Sequence, residues 1–428
     1  MKRTDELIGL LNSENKDVRI NALKEIKKLI NSGDIKRENT AGFANNHIHT
    51  KYSFSSYSPS AAVFYGWRAG LEVCGIIDHD TLSGCSEFKE AGKILGMPTT
   101  CGLECRVKTD GTELFGRRIN NIDQPSLAFV VMHAIPESKI EKINNIFSKY
   151  RENRNARNEK MCSKLNSYLN GTGIEISFKD DVLPLSNYSI GGTVTERHIC
   201  MALVNKITEK FKCPECVINF LKNSLNVDLT EKEVTILREK KDDLYEYDIS
   251  NILKKNIVEK FYIDADDECM HITEFVKIAK ENGCICAYAY LGDVTEQNMG
   301  EKKIQTFEDS YIDLLFSELK RMNFDAVTYM PSRNTEQQLI RVIDYCHKNG
   351  FLEINGEDVN SPRTPFQIKA LQNPTFSHLK ELSYVLVGHE TAVNNDITKA
   401  IYSDEMNERF NTLDEKISYY KGLAEGER

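Results

Sequence analysis

No apolar run in these 428 residues approaches the ~20 that a membrane span needs. The opening segment, Met1-Lys2-Arg3-Thr4-Asp5-Glu6, lacks a signal-peptide core, so a cytoplasmic protein with no membrane partner is expected. A basic excess is also missing. The net charge of −9 argues against a surface that coats nucleic acid in general. No second cysteine pair follows Cys213-Pro214-Glu215-Cys216 at a zinc-site distance, which leaves that pair a weak sign of a structural metal. The twelve cysteines are scattered through strand-like and helix-like segments, predicting reduced, mostly buried thiols instead of a disulfide scaffold. Internal repeats and low-complexity tracts are absent as well.

What the chain does contain is length and rhythm. With 428 residues and 40% hydrophobic content it exceeds the size at which one core keeps growing, so one large α/β domain with an insertion, or two domains, is expected. Residues 1–40 read as a helical extension, with Leu7, Leu10, Leu11, Val18, Leu23 and Ile26 at helical spacing. Across residues 41–365, short apolar runs that end in polar residues alternate with helix-like segments. The run 73–77 stops at Asp78-His79-Asp80, 127–132 at His133, and 284–289 at Tyr290. Repeated strand–helix units with chemistry at each strand end favour a parallel barrel, whose strand ends meet at one mouth. A mostly helical insertion at about 137–275 interrupts it. Within the insertion, the basic run 149–158 reads as a solvated helix face and the Lys-rich stretch 231–243 as a connection. In the last segment, 366–428, the apolar run 382–387 reads as a strand ending at a structural His389, with helices after it.

The candidate chemistry sits at strand ends. His47 and His49, one residue apart on an extended segment, point their rings the same way. Four of the nine histidines (His47, His49, His79, His133) terminate apolar runs. With Glu104 and Asp358 they supply the neutral imidazoles and carboxylates that suit zinc, iron or manganese. Such a site with open positions is hydrolytic, because a bound divalent ion lowers the pKa of water toward ~7 and polarises a phosphoryl or carbonyl oxygen. Ser53, Ser55, Ser56 and Ser58 follow His49 with no evident base, so a hydrogen-bonded turn is the simpler reading.

Taken in order, His47-Ile48-His49-Thr50, Asp78-His79-Asp80, Gly102-Leu103-Glu104, His133 and Gly356-Glu357-Asp358 resemble the motifs of the PHP family, the polymerase and histidinol phosphatase superfamily of metal-dependent phosphoesterases. The likeness covers about residues 43–365. Glu196-Arg197-His198-Ile199 is similar to the Arg-Pro-His-Ile segment of its nucleotide-phosphatase branch, and Tyr329-Met330-Pro331-Ser332-Arg333 to that branch's Tyr-x-Pro-Ser-His strand end. The resemblance implies a distorted (βα)7 TIM-like barrel with up to three metals at its mouth. His47, His49, Glu104 and Asp358 would hold the first, Glu104 and His133 the second, and His79 the third. Three positions depart from the family: Phe54, Tyr290 and Asn360 stand where it carries ligands, which leaves one or two divalent ions (Zn, Mn or Fe). The implied activity is hydrolysis of a phosphomonoester or short phosphodiester, with a nucleotide among the candidates, by a metal-activated water. Arg197, His198 and Arg333 would clamp the phosphoryl group, while Asp80 would protonate the leaving oxygen or orient His79. Two other readings remain: an inactive barrel that binds a phosphorylated ligand or a protein partner, and a nuclease on oligonucleotide ends with Arg151, Arg154 and Arg157 lining the mouth.

Overall fold

The computed structural model describes residues 2–38, 42–241, 244–295 and 304–426. Eight strands form one sheet: β1 (Phe43–Ile48), β2 (Leu71–His79), β3 (Thr99–Lys108), β4 (Leu127–His133), β5 (Met270–His271), β6 (Ile285–Tyr290), β7 (Ala326–Tyr329) and β8 (Leu352–Asn355). Seven follow one another around a nearly closed barrel in the order β1-β2-β3-β4-β6-β7-β8, while β5 pairs with the far end of β3. A parallel bridge between Ile48 and Val359 draws the segment after β8 onto β1. The fold is thus the TIM-like α/β barrel expected, with one departure. β4 runs antiparallel to both β3 and β6, so its beginning, and not its end, lies at the mouth.

Both faces of the sheet are covered, and β1, β7 and β8 are buried along their whole length, so polar residues within them are hydrogen-bonded: Asn45 donates to the Glu357 carbonyl, Asn46 to Ser383, and Glu353 accepts from Tyr329. Local signals start and stop the helices between them. Ser58 caps the helix Pro59–Arg68 by accepting the Ala61 N–H, with proline in its first turn. Thr335 and Gln338 form a capping box at the helix Glu336–Asn349, whose end is Gly350 in the left-handed region. Ahead of the barrel, helices Lys2–Leu10 and Lys16–Asn31 pack on its flank through buried Leu11, Leu23 and Ile26. There Arg19 and Glu87 make a buried pair, 2.8 Å from Nε to Oε1.

Between β4 and β5 the helices Ile140–Tyr168, Glu196–Lys210, Pro214–Asn223, Glu231–Glu239 and Tyr245–Phe261 gather around a second apolar cluster, which includes Leu165, Leu203, Leu221 and Phe261. Residues 231–239 are helical and begin with a Thr230–Glu233 capping box, where a connection was expected. Residues 242 and 243 of that stretch lie outside the described residues.

The expected strand at 382–387 is instead part of the helix His378–Asn395. Its apolar run is buried on nearly every side, and so short a run carries no periodicity to separate a strand from an enclosed helix. Gly388 permits the enclosure: a Cβ there would lie 1.8 Å from the Tyr420 carbonyl oxygen of the helix Leu413–Gly426. The same helix closes the barrel foot, where Asn46 and Asn355 donate to Ser383 Oγ at 2.8 and 3.1 Å.

His389 lies on this helix at 0% exposure, and neither ring nitrogen has a hydrogen-bond partner. Burial pushes its pKa down to about 3. The unfolded chain protonates a histidine near ~6.5, so below that pH it holds a proton that the native state refuses, and stability falls as pH drops. Near pH ~5 the loss is about 2 kcal/mol. Denaturant titrations at graded pH should therefore show His389→Leu flattening the decline between roughly pH 6.5 and 4. An unchanged slope would mean that His389 is charged in the fold.

Candidate metal centre

His47 is the fifth residue of β1 and His49 follows its end, so both rings leave the same face with centroids 5.1 Å apart. Glu104 on β3 stands in register with His79 at the end of β2. One ligand atom from each of His47, His49 and Glu104 lies within 4.8 Å of the others. His79 Nδ1 is 3.1 Å and His47 Nε2 is 3.7 Å from Glu104 Oε2. Asp358 is delivered by the bridge that closes the barrel. Val359 N–H donates to the His47 carbonyl at 3.1 Å and His49 N–H to the Val359 carbonyl at 3.0 Å, leaving Asp358 Oδ1 3.2 Å from His49 Nε2.

The protonation states suit a cation. Burial alone would raise the Glu104 pKa, but His47 and then His79 hold it down to about 2. Asp358 is likewise kept below the carboxylate range by His49 and His47, against burial. Burial pushes His79 down to about 3 in spite of Glu104, so its ring is a neutral lone-pair donor. Ionised carboxylates and neutral imidazoles converging on one small volume are what a divalent ion needs.

Behind the ligands, a buried carboxylate sets their aim. Asp78 Oδ1 accepts from Ser53 Oγ at 2.5 Å and from the Thr50 N–H at 2.8 Å, and Oδ2 from Thr50 Oγ1 at 2.6 Å. Ser53 Oγ in turn lies 3.1 Å from His49 Nδ1, which leaves Nε2 for the site. Ser53 is thus part of a hydrogen-bonded turn.

Several candidate residues are placed elsewhere. His133 is not one of the three residues whose ligand atoms converge. It is buried on the face of β4 that carries Val131, the register partner of Glu104, and burial together with the His47 charge pushes its pKa down to about 3 against the pull of Glu104. At the mouth end of β4 stands Phe129, which lines the cavity with its ring centroid 6.2 Å from that of His79. Asp80 is neither an acid at the ligands nor an acceptor for His79. It turns at φ +54°, sending its carboxylate to Arg154 at 2.7 Å while its carbonyl accepts from Arg151, also at 2.7 Å. His198 is a capping residue: its Nδ1 accepts the Thr195 N–H at 3.0 Å. Its ring lines a neighbouring groove, edge-on to Phe54 at 5.1 Å. The basic run is neither a solvated face nor a groove for nucleic acid, since Arg151, Arg154 and Arg157 are all buried. Arg157 Nε sits 2.5 Å from Glu268, which also pairs with Arg106. Of the departures, Tyr290 donates to Asp309 at 2.5 Å, and Asn360 donates to Asp358 Oδ1 at 2.7 Å, steadying a carboxylate.

The ligands open into a cavity of about 300 Å³. Arg197 and Arg333 line it, and so does Lys254, which sequence reasoning missed because nothing marks it off from the other lysines of its helix, Tyr245–Phe261. The Arg197 charge pulls the Lys254 pKa down, against Asp123, Asp358 and Glu196, so the two cations stand near one another at the rim. Arg197 also stacks over the Phe54 ring at 5.6 Å, and its charge acts on Asp358.

No family model and no curated protein matches the chain. Solved structures do. A protein assigned as a metal-dependent phosphoesterase from Bifidobacterium adolescentis aligns at 18% identity over 78% of this chain and 95% of its own, with a TM-score of 0.50. An amidohydrolase from Chromobacterium violaceum, with bound sulfate and no metal, aligns at 14% identity over 75% of this chain and 88% of its own, with a TM-score of 0.51. At these identities the likeness concerns the backbone: the chain has the barrel fold that these hydrolase structures share.

Proposed function

We propose that the chain is a metal-dependent hydrolase of small phosphate esters, a phosphomonoester or short phosphodiester. The observation that carries this reading is the convergence of His47, His49 and Glu104, flanked by His79 and Asp358, on a cavity rimmed by Arg197, Lys254 and Arg333. His47, His49, Glu104 and Asp358 would hold a first divalent ion, with His79 beside Glu104 available to a second. Bound there, the ion supplies an activated water and polarises the oxygen of the scissile group.

The choice of phosphoryl over amide chemistry rests on charge. A neutral amide has no use for a rim of cations, whereas a phosphate gains charge-assisted hydrogen bonds from Arg197 and Lys254. Arg333 flanks the cavity too, its Nε donating to the Leu291 carbonyl at 3.0 Å, so its position is fixed before a substrate arrives. Tyr290, already committed to Asp309, and Phe129 narrow the remaining space. The volume suits a small ester better than a long strand, and a nucleotide is suggested only by the sequence resemblance.

The test is metal content per chain, together with hydrolysis of a generic aryl phosphate in added manganese, iron(II) or zinc. About one or two ions per chain with turnover would support the reading. Absence of metal after reconstitution would overturn it, and metal without turnover of any phosphate ester would leave a binding protein. Among variants, Arg197→Ala and Lys254→Ala should each raise KM roughly 10- to 100-fold with metal content unchanged, the worth of one charge-assisted hydrogen bond. An unaltered KM in both would remove the cations from substrate binding.

A further inference from the structure

Ten of the twelve cysteines are free and buried; only Cys213 and Cys216 reach the surface, and they are joined to each other. We propose that Cys213 and Cys216, exposed at the head of an insertion helix, form a reversible thiol–disulfide exchange site for a dithiol reductant.

Three observations carry it. The first is position. Cys213 is the N-cap of the helix Pro214–Asn223, with proline in the first turn, and its sulfur accepts the Cys216 N–H at 3.1 Å. A thiolate at that point meets unsatisfied backbone donors and the positive end of the helix, which stabilise it. Lys212 precedes it, and the nearby Glu215 carboxylate is taken up by Arg238 Nε at 2.5 Å.

The second is contrast. Burial pushes Cys162 and Cys200 up to about 12 and Cys269 to about 11, so those sulfurs remain thiols out of reach of any partner. Reactivity is confined to the pair. No carboxylate or imidazole joins it among the described residues that could hold a metal, so the two sulfurs, spaced as in a zinc knuckle, serve each other and not an ion.

The third is the scaffold. The bond closes a very short loop, and such a loop removes far less freedom from the unfolded chain than a long one does. Stapling is therefore a poor reason for it to be there. Its helix is anchored independently by Val217, Ile218, Phe220 and Leu221 in the insertion core, so the bond can open without releasing the helix.

The chemistry balances with a dithiol as co-reactant. One reductant thiolate attacks the Cys216 sulfur; the S–S bond breaks, a mixed disulfide forms, and Cys213 leaves as the helix-stabilised thiolate, later taking a proton from water. The reductant's second thiolate then attacks its own sulfur in the mixed disulfide and expels Cys216, which is protonated in turn. Two electrons pass to the pair, and the reductant ends as a cyclic disulfide.

The test uses the whole chain, equilibrated without denaturant against graded ratios of reduced and oxidised dithiothreitol, quenched with an alkylating reagent and mapped by peptide mass. Cys213 and Cys216 should titrate together and reversibly, with a tenfold change in dithiol over disulfide per about 30 mV, while the other ten stay unlabelled. A bond that opens only after unfolding, or a pair that never reoxidises, would overturn the proposal. In Cys216→Ser, the pH profile of Cys213 alkylation should have its midpoint at least ~1 unit below the usual ~8.5, and in Cys213→Ser the profile of Cys216 should lie higher. A Cys213 midpoint at or above the ordinary value would equally sink it. Neither readout depends on hydrolysis.

Discussion

Replacing His49 by alanine should abolish stoichiometric metal binding and lower turnover of any phosphate ester to background. His49 stands between Glu104 and Asp358: it shares the converging group with the first and approaches the second to 3.2 Å. Its loss removes a ligand and leaves Asp358 without the imidazole that keeps it ionised. Asp78→Asn should have a graded effect. It touches no ligand atom of the site, yet it fixes the loop and the Ser53 hydroxyl behind His49, and outer-shell partners of this sort contribute about 10- to 100-fold in metal affinity. His133→Leu supplies the contrast. The PHP resemblance makes His133 a ligand of a second ion; in the structure it stands outside the converging triad, buried and within electrostatic reach of His47 and Glu104. The first ion should remain in this variant by elemental analysis, and loss of all metal would make His133 part of the first site. Since His133 Nε2 is buried without a partner, an apolar residue of similar size is the substitution least apt to unfold the chain.

That contrast also shows where the chain could be read directly and where it could not. His47 and His49 were legible because strand alternation is local: two rings one residue apart share a face whatever lies around them. Glu104 and Asp358 were legible from motif order, and the structure brings both beside the histidines. Strand direction is a different matter. The run 127–132 has the same composition whether it runs up or down the barrel, so nothing in it marks Phe129 as the β4 residue that lines the cavity. The arginines failed for a related reason. Arg151, Arg154 and Arg157 recur at three-residue steps on one helical face, a pattern that usually means solvent, and only tertiary packing supplies Asp80, Glu196 and Glu268 as partners. Lys254 carried no local signal at all. Its meaning comes from Arg197, 57 positions earlier in the chain.

The buried arginine cluster is where a single substitution should cost the most stability. Glu268 lies just before β5 and accepts from Arg106 on β3 and, at 2.5 Å, from Arg157 on the helix Ile140–Tyr168; Arg154 Nε is 3.7 Å away. Glu196, the first residue of the helix Glu196–Lys210, pairs with Arg157 and lies 3.5 Å from Arg106. These groups bolt the helical insertion to the barrel immediately behind Asp80, and none of the three arginines is more than 7% exposed. As built, the pairs need not be worth more than an apolar contact of the same volume, because desolvation offsets their attraction. Breaking them is another matter. Glu268→Ala strands guanidinium charge in a dry interior and should lower the unfolding free energy by about 3–5 kcal/mol. The double variant Glu268→Ala/Arg157→Ala should cost measurably less than the sum of the two single variants, since it removes one of the stranded charges along with the carboxylate. Denaturant titration of the four proteins decides it, and additive losses would mean that these groups stand apart in energy although they touch. Function should follow the same joint. Arg197 adjoins Glu196 on the bolted helix, so loosening the cluster should raise KM through Arg197 while His47, His49 and Glu104, which rest on the barrel strands, keep their metal.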